Sequence, residues 1–104
     1  MSFEVLGSEA ESVVLALHGE LDLSCVDELE RRLEAAFSKP DQRPVVIDLR
    51  ELTFMDSSGL RALVAARNRA SDLSRELRLR GVAGQIRRLL DITSLSGDFI
   101  IVAD

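Results

Sequence analysis

Residues 45–60 read VVIDLRELTFMDSSGL and join the most apolar strand-like run of the chain to its clearest helical pattern. The first five of these residues form an apolar run with one acid, which is typical of a strand buried within a sheet. From Leu60 onward, apolar residues recur at three- and four-residue steps, which predicts a helix from Ser57 to about Leu73. The junction between strand and helix, residues 56–59, is polar. Such a junction suits a helix cap, a phosphate site or a binding surface better than a core.

Strands and helices continue to alternate on both sides of this stretch. The patterns predict further strands at 3–6, 12–17, 76–80 and 99–102, and further helices at 25–38 and 85–92. Ser24 is expected to cap the first helix. The order β-β-α-β-α-β-α-β predicts an α/β fold, with a mostly parallel or mixed sheet of four to five strands and three or more helices packed on it. With 104 residues, the chain has room for a single domain spanning 1–104.

The composition excludes several classes of function. A net charge of −5 works against binding to a phosphate backbone, and the absence of Tyr and Trp removes a stacking platform, so no nucleic-acid partner is expected. One cysteine and one histidine are too few for a disulfide framework or a metal cluster, and no cofactor is expected. No apolar run reaches bilayer length and the first residues do not begin a signal peptide. We therefore expect a cytoplasmic protein without a membrane region.

The polar junction has the chemistry of a modification site. Free amides and the helix dipole favour negative charge at a helix start. A phosphate on Ser57 would add about −1.5 to −2 charges beside Asp56 and near Asp22, and a docked partner would be repelled. Gly59 lies in the first turn, where glycine costs about 0.5–1 kcal/mol relative to alanine. We expect this glycine to leave room for another molecule to approach the backbone.

Catalysis is not expected, because the parts are missing. A serine nucleophile lacks a neighbouring base, the Gly-x-Ser-x-Gly motif is absent, and the pair Asp22 and Asp56 has no evident supporting residues. Three alternatives stay open: a binding module switched at Ser57, a scaffold whose serines only cap the helix, and a small-molecule or nucleotide-binding domain. Among the outer arginines of the second helix, Arg61 is best placed for docking, because it lies one turn beyond Ser57.

Three stretches together resemble a known family: residues 19–22 (Gly-Glu-Leu-Asp), residues 46–49 (Val-Ile-Asp-Leu) and residues 54–60 (Phe-Met-Asp-Ser-Ser-Gly-Leu). The chain resembles the STAS domain and, more narrowly, the bacterial anti-sigma factor antagonists. The resemblance implies a STAS fold, and an unphosphorylated form that binds an anti-sigma factor and thereby frees a sigma factor. It also implies that this anti-sigma factor is a serine kinase of the histidine-kinase-like ATPase fold, and that a PP2C-type phosphatase reverses its action.

The resemblance also assigns residues. It implies that the kinase phosphorylates Ser57, that Asp22 is the acid beside the phosphoserine, and that Ser58 and Gly59 belong to the docking surface. The complete partner-binding set expected around Ser57 consists of Asp22, Asp56, Ser58, Gly59, Leu60 and Arg61. The alternative within the same family is a constitutive scaffold subunit of a lipid-transport or stress-sensing complex.

Overall fold

A computed structural model of the chain describes residues 2–9 and 12–102. These residues form five strands, three α-helices and two 3₁₀ turns. The strands are β1 (Ser2–Glu9), β2 (Ser12–Leu21), β3 (Val45–Met55), β4 (Leu77–Arg80) and β5 (Ile100–Val102). The helices are α1 (Val26–Phe37), α2 (Ser57–Asp72) and α3 (Gly84–Ile92), and the 3₁₀ turns are Leu23–Cys25 and Ser96–Asp98.

The five strands form one sheet in the order β1-β2-β3-β4-β5. β1 pairs antiparallel with β2, and every later pair is parallel. The predicted α/β class and the mostly parallel or mixed sheet of four to five strands are therefore confirmed, and the sheet has five strands. β2 and β3 extend further than predicted, to Leu21 and Met55, because their pairing continues through two register shifts, one after Ala16 and one after Gly19. Such shifts break the two-residue alternation by which a strand is recognised in a sequence.

The core brings the helices onto the sheet. Leu15, Ile47 and Leu79 lie side by side on neighbouring strands and are buried. They belong to one cluster with apolar side chains from all three helices, including Leu29, Leu33, Leu63, Ile86 and Leu90. This shared cluster fixes the start of α2 relative to the ends of β2 and β3, which is where the polar junction lies.

The expectation that Ser24 caps the first helix is wrong. The chain first makes the 3₁₀ turn Leu23–Cys25, and the cap of that turn is Asp22, whose Oδ1 accepts a hydrogen bond from the Ser24 amide at 3.0 Å. α1 begins only at Val26, and Cys25 before it makes no capping bond with its side chain. The acid two residues earlier takes the capping role because the tighter turn brings it within reach of the amide.

Candidate functional site

The ends of β2 and β3 bring the two predicted acids together. Leu21 and Met55 are partners in the parallel ladder, and the Asp56 amide donates to the Leu21 carbonyl oxygen at 3.2 Å. Asp22 and Asp56 are the residues that follow this last pair, so they leave the sheet side by side. Ser57 is the first residue of α2. Asp22, Asp56 and Ser57 therefore follow the carboxyl ends of two neighbouring parallel strands, β2 and β3.

Asp56 supplies the cap of α2. Its backbone is extended, and its Oδ1 accepts hydrogen bonds from the amides of Ser58 at 2.9 Å and Gly59 at 3.1 Å. Ser57 is exposed and Ser58 is half-buried. Within residues 2–9 and 12–102, neither serine hydroxyl makes a hydrogen bond to another group. One carboxylate thus satisfies the helix start, and the Ser57 hydroxyl is left accessible for other chemistry.

Asp22 is held in place by the turn that it caps. Its Oδ1 accepts from the Ser24 amide, from the Ser24 hydroxyl at 2.5 Å and from the Cys25 thiol at 3.5 Å. The hydrogen bond from the Ser24 hydroxyl lowers the pKa of the Asp22 carboxyl below its usual value, and the Ser24 amide acts in the same direction. The carboxylate therefore remains charged at neutral pH and faces solvent beside the start of α2.

Gly59 lies inside the protein, and its close neighbours belong to the chain itself. A Cβ at this position would lie 2.8 Å from Leu21 Cγ, 2.8 Å from Met55 Cγ and 2.9 Å from the Leu21 carbonyl oxygen. The space that we expected another molecule to use is thus occupied by β2 and β3. Leu60 is also buried, in the core cluster. Gly59 and Leu60 therefore lie in the interior beneath the candidate surface, and the other members of the predicted set lie between them and the solvent.

Of the three outer arginines on α2, only Arg61 is left unpaired among the described residues. Arg67 lies 3.7 Å from an Asp98 carboxylate oxygen and stacks over a phenylalanine ring. Arg69 contacts the Glu34 carboxylate on α1 at 2.7 Å. Arg61 is exposed and, within the described chain, has neither an ion pair nor a side-chain hydrogen bond. It remains available to a partner, on the same side of the helix as Ser57.

Comparisons with known proteins show the family to which the chain belongs. The profile of a family described as "Mlab, STAS domain" matches residues 5–103. The chain belongs to the STAS domain family. This STAS domain is 35% identical over 77 residues to the anti-sigma-B factor antagonist of Staphylococcus aureus (strain NCTC 8325 / PS 47), covering 74% of the chain and 70% of the relative. It is 29% identical over 96 residues to the anti-sigma-B factor antagonist of Listeria monocytogenes, covering 92% of the chain and 83% of the relative.

A solved structure confirms the STAS fold. The Bacillus cell fate determinant SpoIIAA in its phosphorylated form superimposes with a TM-score of 0.77, covering 99% of this STAS domain and 91% of that chain. Sequence identity over this superposition is 21%, so the likeness shows the fold alone.

Two exposed apolar residues beside the polar junction were missed by the sequence analysis. Leu23, directly after Asp22, is 73% exposed, and Phe54, two residues before Asp56, is 40% exposed. They lie on the two neighbouring chain segments that also carry the acids. The available signal was an apolar residue in an otherwise polar turn, but a strand prediction that ended at Leu49 gave no reason to place Phe54 at the edge. Single exposed apolar residues are common on protein surfaces, but apolar patches with a polar rim mark interaction sites, and aromatic residues such as Phe54 are enriched at interfaces.

Residues 2–9 and 12–102 contain no group of three or more His, Cys, Asp and Glu side chains arranged to hold a metal ion. In the same residues, every helix is too short or too polar to span a lipid bilayer.

Proposed function

We propose that this STAS domain is an anti-sigma factor antagonist that is switched at Ser57. Its unphosphorylated form binds an anti-sigma factor and releases a sigma factor. The anti-sigma factor is a serine kinase of the histidine-kinase-like ATPase fold, which ends the interaction by phosphorylating Ser57, and a PP2C-type phosphatase restores it. The protein thus acts by binding rather than catalysis, and in the cytoplasm, where sigma factors work. The observation that carries the proposal is the exposed Ser57 hydroxyl, which is not needed for the helix cap.

The relatives support the kind of partner. Two anti-sigma-B factor antagonists match most of the chain, at 35% and 29% identity. SpoIIAA, which has the same fold, is known in both an unphosphorylated and a phosphorylated form. A phosphorylated state of this fold is therefore compatible with an intact structure, which a reversible switch requires.

The docking surface that we propose is centred on Ser57. Polar contacts around it come from Asp22, Asp56, Ser58 and Arg61. The buried Gly59 and Leu60 hold the start of α2 in place beneath this surface. We add Leu23 and Phe54, because exposed apolar side chains give an interface the desolvated contacts that dominate binding energy. Leu23→Ala and Phe54→Ala serve as tests of this addition, since each is expected to weaken binding without affecting the Ser57 hydroxyl.

The physical basis of the switch is charge at an interface. A phosphate on Ser57 would add about −1.5 to −2 charges next to Asp56 and Asp22, whose carboxylates lie on the same surface. Its own chain tolerates the phosphate, because the amides and dipole of a helix start favour an anion. A partner bound over this edge must instead desolvate the phosphate and face three negative groups, so affinity falls.

Phosphorylation and binding together test the proposal. We expect incubation with the anti-sigma factor kinase of the same organism and ATP to add one phosphate at Ser57, located by mass spectrometry of peptides. Ser57→Ala is expected to bind the anti-sigma factor at all times, and Ser57→Asp to bind at least about tenfold more weakly. Ser71→Asp is the matched control, because it places the same charge on an exposed residue at the other end of α2, outside the docking surface, and it is expected to bind as the parent protein does. Phosphate found elsewhere, or equal binding by Ser57→Ala and Ser57→Asp, would refute the assignment.

The scaffold alternative makes the opposite prediction. If the serines only capped the helix, Ser57→Asp would leave partner binding intact, because aspartate is itself a good cap. In the structure, the Asp56 carboxylate caps the helix. The serine hydroxyls are therefore not needed as caps, which is the role that the scaffold alternative gives them. A ligand-binding domain, the third alternative, would instead show a ligand-dependent rise in thermal stability.

A further inference from the structure

Within residues 2–9 and 12–102, the half of β3 that carries the candidate site has a neighbouring strand on one side only. β4 pairs only with residues 45–48 of β3, and beyond that point β2 is the one neighbouring strand in the described chain. The pairing with β2 over this half includes two register shifts. The segment that delivers Asp56 and Ser57 to the surface therefore needs another source of order, since main-chain groups at an open sheet edge are otherwise left to solvent.

Gln85 of α3 supplies that order at one point. Its Nε2 donates to the Met55 carbonyl oxygen at 2.9 Å, and its Oε1 accepts from the Met55 amide at 3.0 Å. One side-chain amide thus satisfies both main-chain polar groups of Met55, as a residue of a neighbouring strand would. On the other side, the next amide, that of Asp56, donates to the Leu21 carbonyl oxygen of β2. Hydrogen bonds therefore hold the chain on both sides just before Ser57.

The start of α3 is itself fixed against β3. Gly81, in the turn between β4 and α3, has φ of +77°, and a Cβ there would overlap Arg50 Cγ and lie 2.9 Å from the Arg50 amide nitrogen. The turn thus crosses β3 in direct contact. Ile86, the neighbour of Gln85, is buried in the core cluster. Because the start of α3 is held against β3, the hydrogen bonds of Gln85 tie the position of the Met55 peptide groups to that of α3.

We propose that Gln85 is a positioning residue for Ser57: its side-chain amide holds both main-chain polar groups of Met55 and so fixes the direction in which the phosphoacceptor leaves β3. The kinase then meets a serine presented in one geometry, and α3 and the junction move as a unit. This inference rests on the proposed phosphorylation of Ser57 for its consequence. The geometric part, that Gln85 orders the junction, stands without it.

The test compares two variants of neighbouring residues on α3. Gln85→Ala removes the amide, and Ile86→Val removes one buried methylene while keeping Gln85, so it serves as the control for a loosened helix. We expect Gln85→Ala to speed hydrogen exchange of the Met55 amide about tenfold, with faster exchange also at the Ser58 and Gly59 amides. We expect Ile86→Val to leave the exchange rates of these amides unchanged, even if it lowers the thermal midpoint as much as Gln85→Ala does. Equal exchange in the two variants would overturn the inference.

Gln85→Glu separates the hydrogen bonds from the shape of the side chain. At neutral pH the carboxylate accepts from the Met55 amide but cannot donate to the Met55 carbonyl oxygen, which it repels. Below about pH 4 the protonated acid can donate again. Protection of the Ser58 and Gly59 amides, which report the order of the junction, is therefore expected to be reduced at neutral pH and to recover on acidification, measured against the parent protein at each pH. A side chain that only fills space would give the same protection at every pH, which would contradict our proposal.

The kinase provides the functional readout. We expect Gln85→Ala to raise the KM for Ser57 phosphorylation about three- to tenfold with a smaller change in kcat, because a poorly ordered junction binds the kinase less well. Ile86→Val should leave both constants unchanged. If the parent protein is not phosphorylated at Ser57, the proposed function fails, and the exchange measurements still decide the role of Gln85. If phosphorylation occurs and Gln85→Ala leaves KM unchanged, the positioning role is refuted.

Discussion

At the residue scale, Gly59 offers the sharpest test of how the candidate site is built. Gly59→Ala places a methyl group 2.8 Å from Leu21 Cγ and 2.8 Å from Met55 Cγ, closer than real contacts allow. Overpacking of this kind costs about 1–3 kcal/mol, and the better helix propensity of alanine returns up to about 1. We therefore expect the free energy of unfolding, measured by urea denaturation, to fall by about 1–2 kcal/mol.

Gly97→Ala is the control for that substitution. Gly97 lies in the second 3₁₀ turn, and a Cβ there would have nothing within 4 Å. We expect its effect on stability to lie within about 0.5 kcal/mol of zero. If Gly59→Ala were equally neutral and instead weakened partner binding, the glycine would serve an approaching molecule, as the sequence alone had suggested.

The same residue shows where sequence reasoning stops. A glycine after two serines in a first helical turn indicates that something comes close to the backbone. Its neighbours, Leu21 and Met55, are identified only once β2 and β3 are extended to their true ends. Gln85 is harder still, because it reaches Met55 across 30 residues of sequence and nothing in its local pattern marks it. Contacts of this kind follow from tertiary packing, which periodicity does not encode.

At the scale of elements, β3 carries one acid within its apolar run. Asp48 lies on the sheet face opposite Ile47, its side chain is only 5% exposed, and its Oδ2 lies 2.6 Å from Arg50 Nη2 and 3.3 Å from Arg80 Nη2. Burial raises the pKa of the Asp48 carboxyl, but hydrogen bonds from Arg50 together with the charge of Arg80 outweigh it, so the pKa is lowered overall. The carboxylate therefore links β3 to β4 as a charged group.

A lowered pKa sets the direction of the pH dependence. The unfolded chain binds a proton at Asp48 near pH 4, whereas the folded protein binds it only at lower pH. The stabilisation is thus complete above about pH 4 and is lost as the pH falls toward the folded pKa. We expect Asp48→Asn to cost about 3 kcal/mol at pH 7 and to flatten the acid limb of stability in urea titrations. Glu30→Gln, on the exposed face of α1, should change neither, and an unaltered acid limb in Asp48→Asn would contradict this account.

The elements themselves were the most predictable part of the protein. Apolar residues at helical spacing and the runs at 12–17 and 45–49 are local signals, and all the predicted helices and strands are present in their predicted order. The error at Ser24 is also physical, because a 3₁₀ turn and an α-helix begin with the same kind of residue and only their geometry tells which side chain reaches the free amide. The extensions of β2 and β3 escaped prediction because register shifts disturb alternation.

At the scale of the whole molecule, the proposed switch must alter binding without altering the fold, and the two ends of α2 allow this to be tested. Ser57→Asp places a negative charge at the first position of the helix, where the dipole favours it, and the nearby Asp22 and Asp56 oppose it. Ser71→Asp places the same charge on an exposed residue of the last turn, where the dipole disfavours it. We expect Ser57→Asp to unfold within about 0.5 kcal/mol of the parent protein, and Ser71→Asp to lose about 0.3–1 kcal/mol, in urea titrations at low salt.

Binding should rank the same two variants in the opposite order. Ser57→Asp, with nearly unchanged stability, is expected to lose affinity for the anti-sigma factor, because its charge lies within the docking surface. Ser71→Asp, although less stable, should keep full affinity, because it lies at the other end of a 16-residue helix. Adding salt to about 0.5 M should shrink both stability effects, since exposed charges are screened. If Ser57→Asp lost stability and binding together, phosphorylation would act by loosening the fold, and the interface mechanism would have to be abandoned.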